Sequence, residues 1–180
     1  LSMHKDVREI LFTDNQIIER CKELGAQISK DYKSKDKLVL IGLLKGSIPF
    51  LAELSKYIDL EAEFDYMDVS SYEGTESTGN VLVKKDLEGD IKGKNLILIE
   101  DILDTGKTLH TVKAMLLEKG AASVTIVTML NKQERREYPI NAEYIGFEIP
   151  NVFVIGYGLD YDEKYRNLPY VGILKEEVYM

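Results

Sequence analysis

Three short apolar runs limit what this chain can fold into more than any other feature: LVLIG at 38–42, LILI at 96–99 and VTIVTML at 124–130. None alternates with polar residues, so none reads as a strand with one wet face. Such runs are strands covered on both sides, and strands of that kind sit in parallel sheets between layers of helix. The intervening segments supply the helices. Over 13–32, Ile17, Ile18, Cys21, Leu24, Ile28 and Tyr32 recur at helical intervals, and Thr13 with Gln16 has the spacing of a capping box. A second helix is predicted over 47–57, with Pro49 tolerated in its first turn. A third follows the run at 96–99 and ends near Lys119, with Gly120 as its cap.

Weaker strand signals lie at 61–69, 81–84, 143–147, 152–155 and 170–174. Residues 89–94 form a polar turn. The stretch 70–80, SSYEGTESTGN, is polar and rich in Gly, Ser and Thr, and reads as a long lid or linker loop. With 180 residues, no internal repeat and no shift in composition, the expectation is one α/β domain: a mostly parallel twisted sheet flanked by helices. Ligands in such sheets bind beyond the carboxyl ends of the strands. That singles out 44–47, 100–108, 131–132 and 156–166.

Of these, the loop Glu100-Asp101-Ile102-Leu103-Asp104-Thr105-Gly106-Lys107-Thr108 carries the most chemistry. It leaves a buried strand and enters a helix, where free backbone N–H groups and the helix dipole attract anions. Thr105 and Thr108 add hydroxyl donors, and Gly106 lets a ligand approach the backbone. That half asks for a phosphate. Glu100 and Asp101 would repel one. A ligand that suits both halves has an anionic end and a hydroxyl-rich or metal-bound end, as a ribose phosphate does. Gly106-Lys107-Thr108 imitates the close of a P-loop, but that motif needs glycine five residues earlier and Asp101 stands there.

Composition removes other classes. Acids outnumber bases 31 to 23, a net charge of −8, which disfavours nucleic-acid and anionic-membrane binding. Cys21 is the one cysteine, so no disulfide within the chain and no cysteine zinc site can form. His4 and His110 are too far apart in sequence to suggest a metal site or a histidine-based nucleophile system. No apolar run is long enough to span a bilayer, and no signal-peptide core is evident, so a cytoplasmic protein is expected.

EDILDTGKT after LILI resembles the ribose-phosphate signature of the type I phosphoribosyltransferases. Leu44-Lys45-Gly46-Ser47, Ser70-Ser71-Tyr72, Lys132, the segment 153–161 (FVIGYGLDY) and Arg166 narrow the resemblance to the 6-oxopurine branch, over about 13–177. The resemblance implies that family's fold, with a small hood built from the terminal segments. It implies Mg²⁺-dependent transfer of ribose 5-phosphate from phosphoribosyl pyrophosphate to hypoxanthine or guanine, giving IMP or GMP and pyrophosphate. A homodimer or homotetramer is implied as well, with no nucleic-acid or membrane partner.

The same resemblance distributes roles. Asp104 would be the general base at purine N7; as a bare residue it reads equally as a helix N-cap. Glu100 and Asp101 would bind the ribose diol, directly or through Mg²⁺. Asp104, Thr105, Gly106, Lys107 and Thr108 would cradle the 5′-phosphate. Lys132 would donate to the purine 6-oxo group, which an ammonium serves better than a 6-amino group; by itself it reads as an exposed strand-end lysine. Phe153 would stack on the base, though an aromatic there is more often core, and Val154 would offer backbone groups to the base edge. Asp160 would contact the purine subsite and a second Mg²⁺, through water or directly. Lys45 and Gly46, through backbone N–H groups, and Arg166, through its guanidinium, would hold pyrophosphate. Ser71 and Tyr72 would tip a closing lid, or belong to a surface linker.

Two other readings stay open on sequence. A regulatory binding module on the same fold would be expected to carry a basic face, against the charge of −8. A phosphotransferase using Gly106-Lys107-Thr108 is disfavoured by Asp101.

Overall fold

The computed structural model describes residues 2–71 and 81–180. Six strands form the main sheet, in the order β4 (Val81–Lys85), β3 (Ala62–Ser71), β2 (Leu38–Leu43), β5 (Asn95–Leu103), β6 (Ser123–Asn131), β7 (Tyr144–Glu148). All pairings are parallel except β3 with β4. The three apolar runs are the central strands β2, β5 and β6. Their pleat splits the core into two layers. Leu38, Leu40, Ile97 and Ile99 face helices α1 (Asp14–Asp31) and α2 (Ile48–Ser55). Val39, Ile41, Leu96 and Leu98 face α3 (Lys107–Glu118). Neighbouring residues of one strand thus serve opposite layers, which is why the runs do not alternate with polar residues.

The capping box of α1 is formed: the Thr13 side chain accepts from Gln16 N–H, and the Gln16 side chain accepts from Thr13 N–H at 2.8 Å. A cap of this type stabilises a helix by about 1 kcal/mol. Burial of Ile17, Leu24 and Ile28 contributes about 2 kcal/mol each, so packing outweighs capping. Gly120, at φ +98°, follows the last turn of α3 in the left-handed conformation that ends helices.

A second sheet, β1 (Val7–Phe12), β9 (Val171–Leu174), β8 (Val154–Ile155), is antiparallel and joins the two ends of the chain. It is the hood implied by the resemblance. The sequence does not signal β1, because two register irregularities, between Val7 and Glu9 and between Ile10 and Phe12, break the period of two that marks a strand. The strand expected over 152–155 shortens to Val154–Ile155, since Val152 N–H turns back to the Pro150 carbonyl. A four-residue helix, α4 (Glu176–Tyr179), closes the chain. No helix among the described residues is long and apolar enough to cross a membrane.

Candidate active site

The carboxyl ends of β2, β5 and β6 converge with the hood on two adjoining cavities. The smaller, about 110 Å³, is lined by Glu100 and by the turn from Ile102 to Leu109. Gly106 caps α3 at φ +88°, and a Cβ there would collide with Ile140. Only glycine both adopts that angle and fits under Ile140. The first intrahelical bond runs from His110 N–H to the Gly106 carbonyl, so the N–H groups before it are spent elsewhere or open to a ligand. Lys107 N–H makes a long contact, 3.4 Å, to Thr105 Oγ1. The Thr105 carbonyl accepts from Glu137 and Tyr138 N–H, which ties the turn to the segment after β6. The geometry is that of an anion cradle at a helix start.

The larger cavity, about 590 Å³, is lined by Asp101, Ile102, Asp104, Lys132, Arg135, Asn151, Val152, Phe153, Val154, Leu159, Asp160 and Tyr179. Its size suits a small organic ligand. Asp104 and Ile102 line both cavities, so the two spaces meet at these residues.

Asp104 does not cap the helix; Gly106 does, and the Asp104 carboxylate instead pairs with Arg135 Nε at 3.0 Å. Both partners are well exposed, so the pair adds little to stability and can exchange. Arg136 works on the backbone. Its guanidinium donates to the carbonyls of Asp104, at 3.1 Å, and Ile140, at 2.9 Å, and to the Asn131 side chain. It fixes the turn after β5 against the turn after β6. Lys132 follows β6 and is held by its N–H to the Leu103 carbonyl at 3.0 Å. It is buried rather than an exposed strand-end lysine. That burial lowers its pKa, Asp104 opposes the shift, and Arg135 adds to it.

Glu100 and Asp101, expected to open the loop, are adjacent, half-buried residues within the last part of β5, which runs on to Leu103. Asp101 N–H donates to Glu100 Oε1 at 3.0 Å, and Ile102 N–H to Asp101 Oδ1 at 2.6 Å. Burial raises the pKa of both, and for Glu100 the Asp101 charge raises it further. No Lys, Arg or His among the described residues forms an ion pair with either. A carboxylate pair without a cation suits a divalent metal or a diol. Among the described residues there is no cluster of three or more His, Cys, Asp or Glu that could hold a metal ion. Asp160 stands across the larger cavity with both oxygens engaged, by Arg166 Nη2 at 3.5 Å and Glu163 N–H at 2.9 Å.

The loop after β2 and the loop 156–166 close on Asp101 from the other side. The Leu44–Lys45 peptide is cis. A Cβ on Gly46 would overlap Asp101 Oδ2, and one on Gly158 would overlap the Gly46 carbonyl oxygen. Arg166 Nη1 donates to the Gly158 carbonyl at 2.6 Å, while its Nε is buried without an acceptor among the described residues. Glu163 joins the two candidate pyrophosphate cations: its carboxylate contacts Lys45 Nζ at 3.0 Å and Arg166 Nη2 at 3.3 Å.

Phe153 lies in the larger cavity with Val154 beside it in β8. Ser71 ends β3, exposed, paired with Val81. Tyr72 and most of the expected lid lie outside the described residues. Arg135, Arg136, Glu163 and Tyr179 were not singled out from sequence. The basic pair at 135–136 and the aromatic at the chain end were visible, but nothing local said what they would meet.

The phosphoribosyl transferase domain model matches residues 8–162. A hypoxanthine-guanine phosphoribosyltransferase of Streptococcus pneumoniae is 53% identical over 178 residues, 98% of each chain. A crystal structure of a hypoxanthine phosphoribosyltransferase from Staphylococcus aureus superimposes with a TM-score of 0.94 at 52% identity, covering 99% of this chain and 97% of that one. The Trypanosoma cruzi hypoxanthine phosphoribosyl transferase gives a TM-score of 0.95 at 39% identity, covering 99% and 97%. The chain belongs to the phosphoribosyltransferase family, in its hypoxanthine-guanine branch. It is a glycosyltransferase of purine salvage.

Proposed function

We propose that the chain transfers ribose 5-phosphate from phosphoribosyl pyrophosphate to N9 of hypoxanthine or guanine, releasing IMP or GMP and pyrophosphate. The observation that carries this reading is that Asp104 lines both cavities. A ribose phosphate seated in the smaller and a purine in the larger meet at that carboxylate, where the glycosidic bond forms.

The anion cradle of Asp104, Thr105, Gly106, Lys107 and Thr108 holds the 5′-phosphate. Glu100 and Asp101 hold the ribose diol. In the larger cavity Phe153 stacks on the purine, Lys132 donates to its 6-oxo oxygen, and Val154 and Asp160 border its edge. Lys45, Gly46 and Arg166 take the pyrophosphate. The bond from C1′ to the pyrophosphate oxygen breaks as C1′ closes on N9, and Asp104 takes the proton leaving N7. Breaking the bond spreads positive charge over the ribose ring, beside the paired carboxylates, so positioning and charge stabilisation carry the reaction. Glu100, Asp101 and Asp160 would hold Mg²⁺, which would offset the charge on the departing pyrophosphate. Ser71 and Tyr72 would shield the site from water.

One domain carries the whole activity, in a cytoplasmic setting and in a homodimer or homotetramer. Half-exposed Phe64 and Tyr66 on one face of β3, and Ile48 at the start of α2, support self-association.

An ultraviolet assay with phosphoribosyl pyrophosphate and Mg²⁺ tests the reading, offering hypoxanthine, guanine, xanthine and adenine with and without EDTA. Metal-dependent conversion of a 6-oxopurine to its monophosphate is expected. No turnover by folded protein would overturn it.

A further inference from the structure

Phe153 is not held by the sheet core. Its ring lies in the hood among aromatic neighbours, and the way they meet it differs. Tyr161 approaches edge-on, with centroids 5.6 Å apart and planes at 77°. Tyr179 lies flat against it, at 4.7 Å and 25°. Tyr179 also lines the larger cavity, together with Lys132 and Asp104. It comes from α4, the last element of the chain, which the hood anchors through Lys175 N–H to the Asp6 carbonyl at 2.9 Å. No residue of α4 is fully buried, and Tyr179 and Val178 pack, half-buried, on the small cluster of the hood formed by Val7, Ile155, Tyr170 and Leu174.

We propose that Tyr179 is a positioning residue for the purine, fixing the plane of Phe153 by stacking on it and forming the wall of the base cavity at the chain's C-terminus. A phenylalanine ring has two faces and a soft ring torsion. With no partner it would rock about that torsion, and a base stacking on it would have to order it first. A flat neighbour removes that freedom before the base arrives. The inference rests on the assignment of the base to the cavity of Phe153 and Lys132.

The test is steady-state kinetics of Tyr179→Ala, Tyr179→Phe and a chain lacking only Met180, beside Phe153→Ala and Lys132→Ala. Tyr179→Ala is expected to raise KM for hypoxanthine about fivefold, within the range of an aromatic pair, with KM for phosphoribosyl pyrophosphate and kcat unchanged. Tyr179→Phe keeps the stack and is expected to restore KM. Removal of Met180, which is 88% exposed, is expected to change neither. An unchanged KM for hypoxanthine in Tyr179→Ala overturns the inference, as does a Tyr179→Phe variant as impaired as Tyr179→Ala. Equal losses for both substrates with a lowered melting temperature assign Tyr179 to the fold and overturn it too. If Phe153→Ala and Lys132→Ala also leave KM for the base unchanged, the placement of the purine itself fails. If they raise it and Tyr179→Ala does not, only the inference about Tyr179 fails.

Discussion

Gly46 and Asp101 meet so closely that a single added carbon on Gly46 would occupy the space of Asp101 Oδ2. The loop after β2 and the carboxylate near the end of β5 are therefore one construction. Gly46→Ala must push the Asp101 side chain or the loop aside. The fold has room to yield at the tip of a side chain, so melting should change little. A misplacement of about an ångström costs on the order of 100-fold in rate. The expected outcome is a loss of that size in kcat/KM for phosphoribosyl pyrophosphate, with the melting temperature kept. Wild-type kinetics would show that the contact does no work in the site.

Asp104 is poised by Arg135 and shared by both cavities. Asp104→Asn keeps the shape and loses the proposed base. A drop in kcat of about 10²–10⁴ is expected, with KM for phosphoribosyl pyrophosphate changed far less. Equal losses in the two constants would remove the base role.

Lys132 is buried, with Asp104 as the carboxylate that opposes the cost of its charge. Lys132→Ala removes the proposed donor to the 6-oxo oxygen. KM for hypoxanthine should rise by about tenfold or more, because hydrogen bonds from charged donors are the strong ones. An unchanged KM would discard that contact.

Glu163 pairs with the ammonium of Lys45 and with Arg166, whose guanidinium we assign to pyrophosphate. An incoming pyrophosphate must displace it. Glu163→Gln should tighten pyrophosphate binding, measured by product inhibition or calorimetry, by no more than about fivefold, since the pairs are exposed and screened by salt. Weaker binding in the variant would show that Glu163 orients Arg166 rather than competes for it.

Cys21 is fully buried in α1, and burial pushes its thiol up to about 12 from an ordinary 9.0. Its folded pKa is raised, so the unfolded chain loses its proton first as pH climbs. Stability from this group is complete below about pH 9 and declines between there and 12. Two outcomes follow: a melting temperature that falls over that range in the wild type and less in Cys21→Ala, and a thiol that reacts with a disulfide reagent only after denaturant is added. Rapid labelling of the native protein would contradict the burial.

By itself the sequence determined the layered sheet, because buried strands and amphipathic helices advertise themselves through local periodicity. LVLIG, LILI and VTIVTML became β2, β5 and β6, and Thr13 with Gln16 became a capping box. It also marked the segment 100–108, since nine adjacent residues carry both the carboxylates and the start of α3, although 100–103 prolong β5 rather than open a loop. Irregular register hid β1, whose bulges erase its period. The tertiary structure decided what meets across distance. It gave Asp104 to Arg135 instead of to the helix end, buried Lys132, set Glu163 between Lys45 and Arg166, and brought Tyr179 onto Phe153. Those contacts join residues from separate loops and the chain end, and no spacing along the chain encodes them. They exist because the sheet brings its strand ends to one edge and the hood folds the C-terminus back over it.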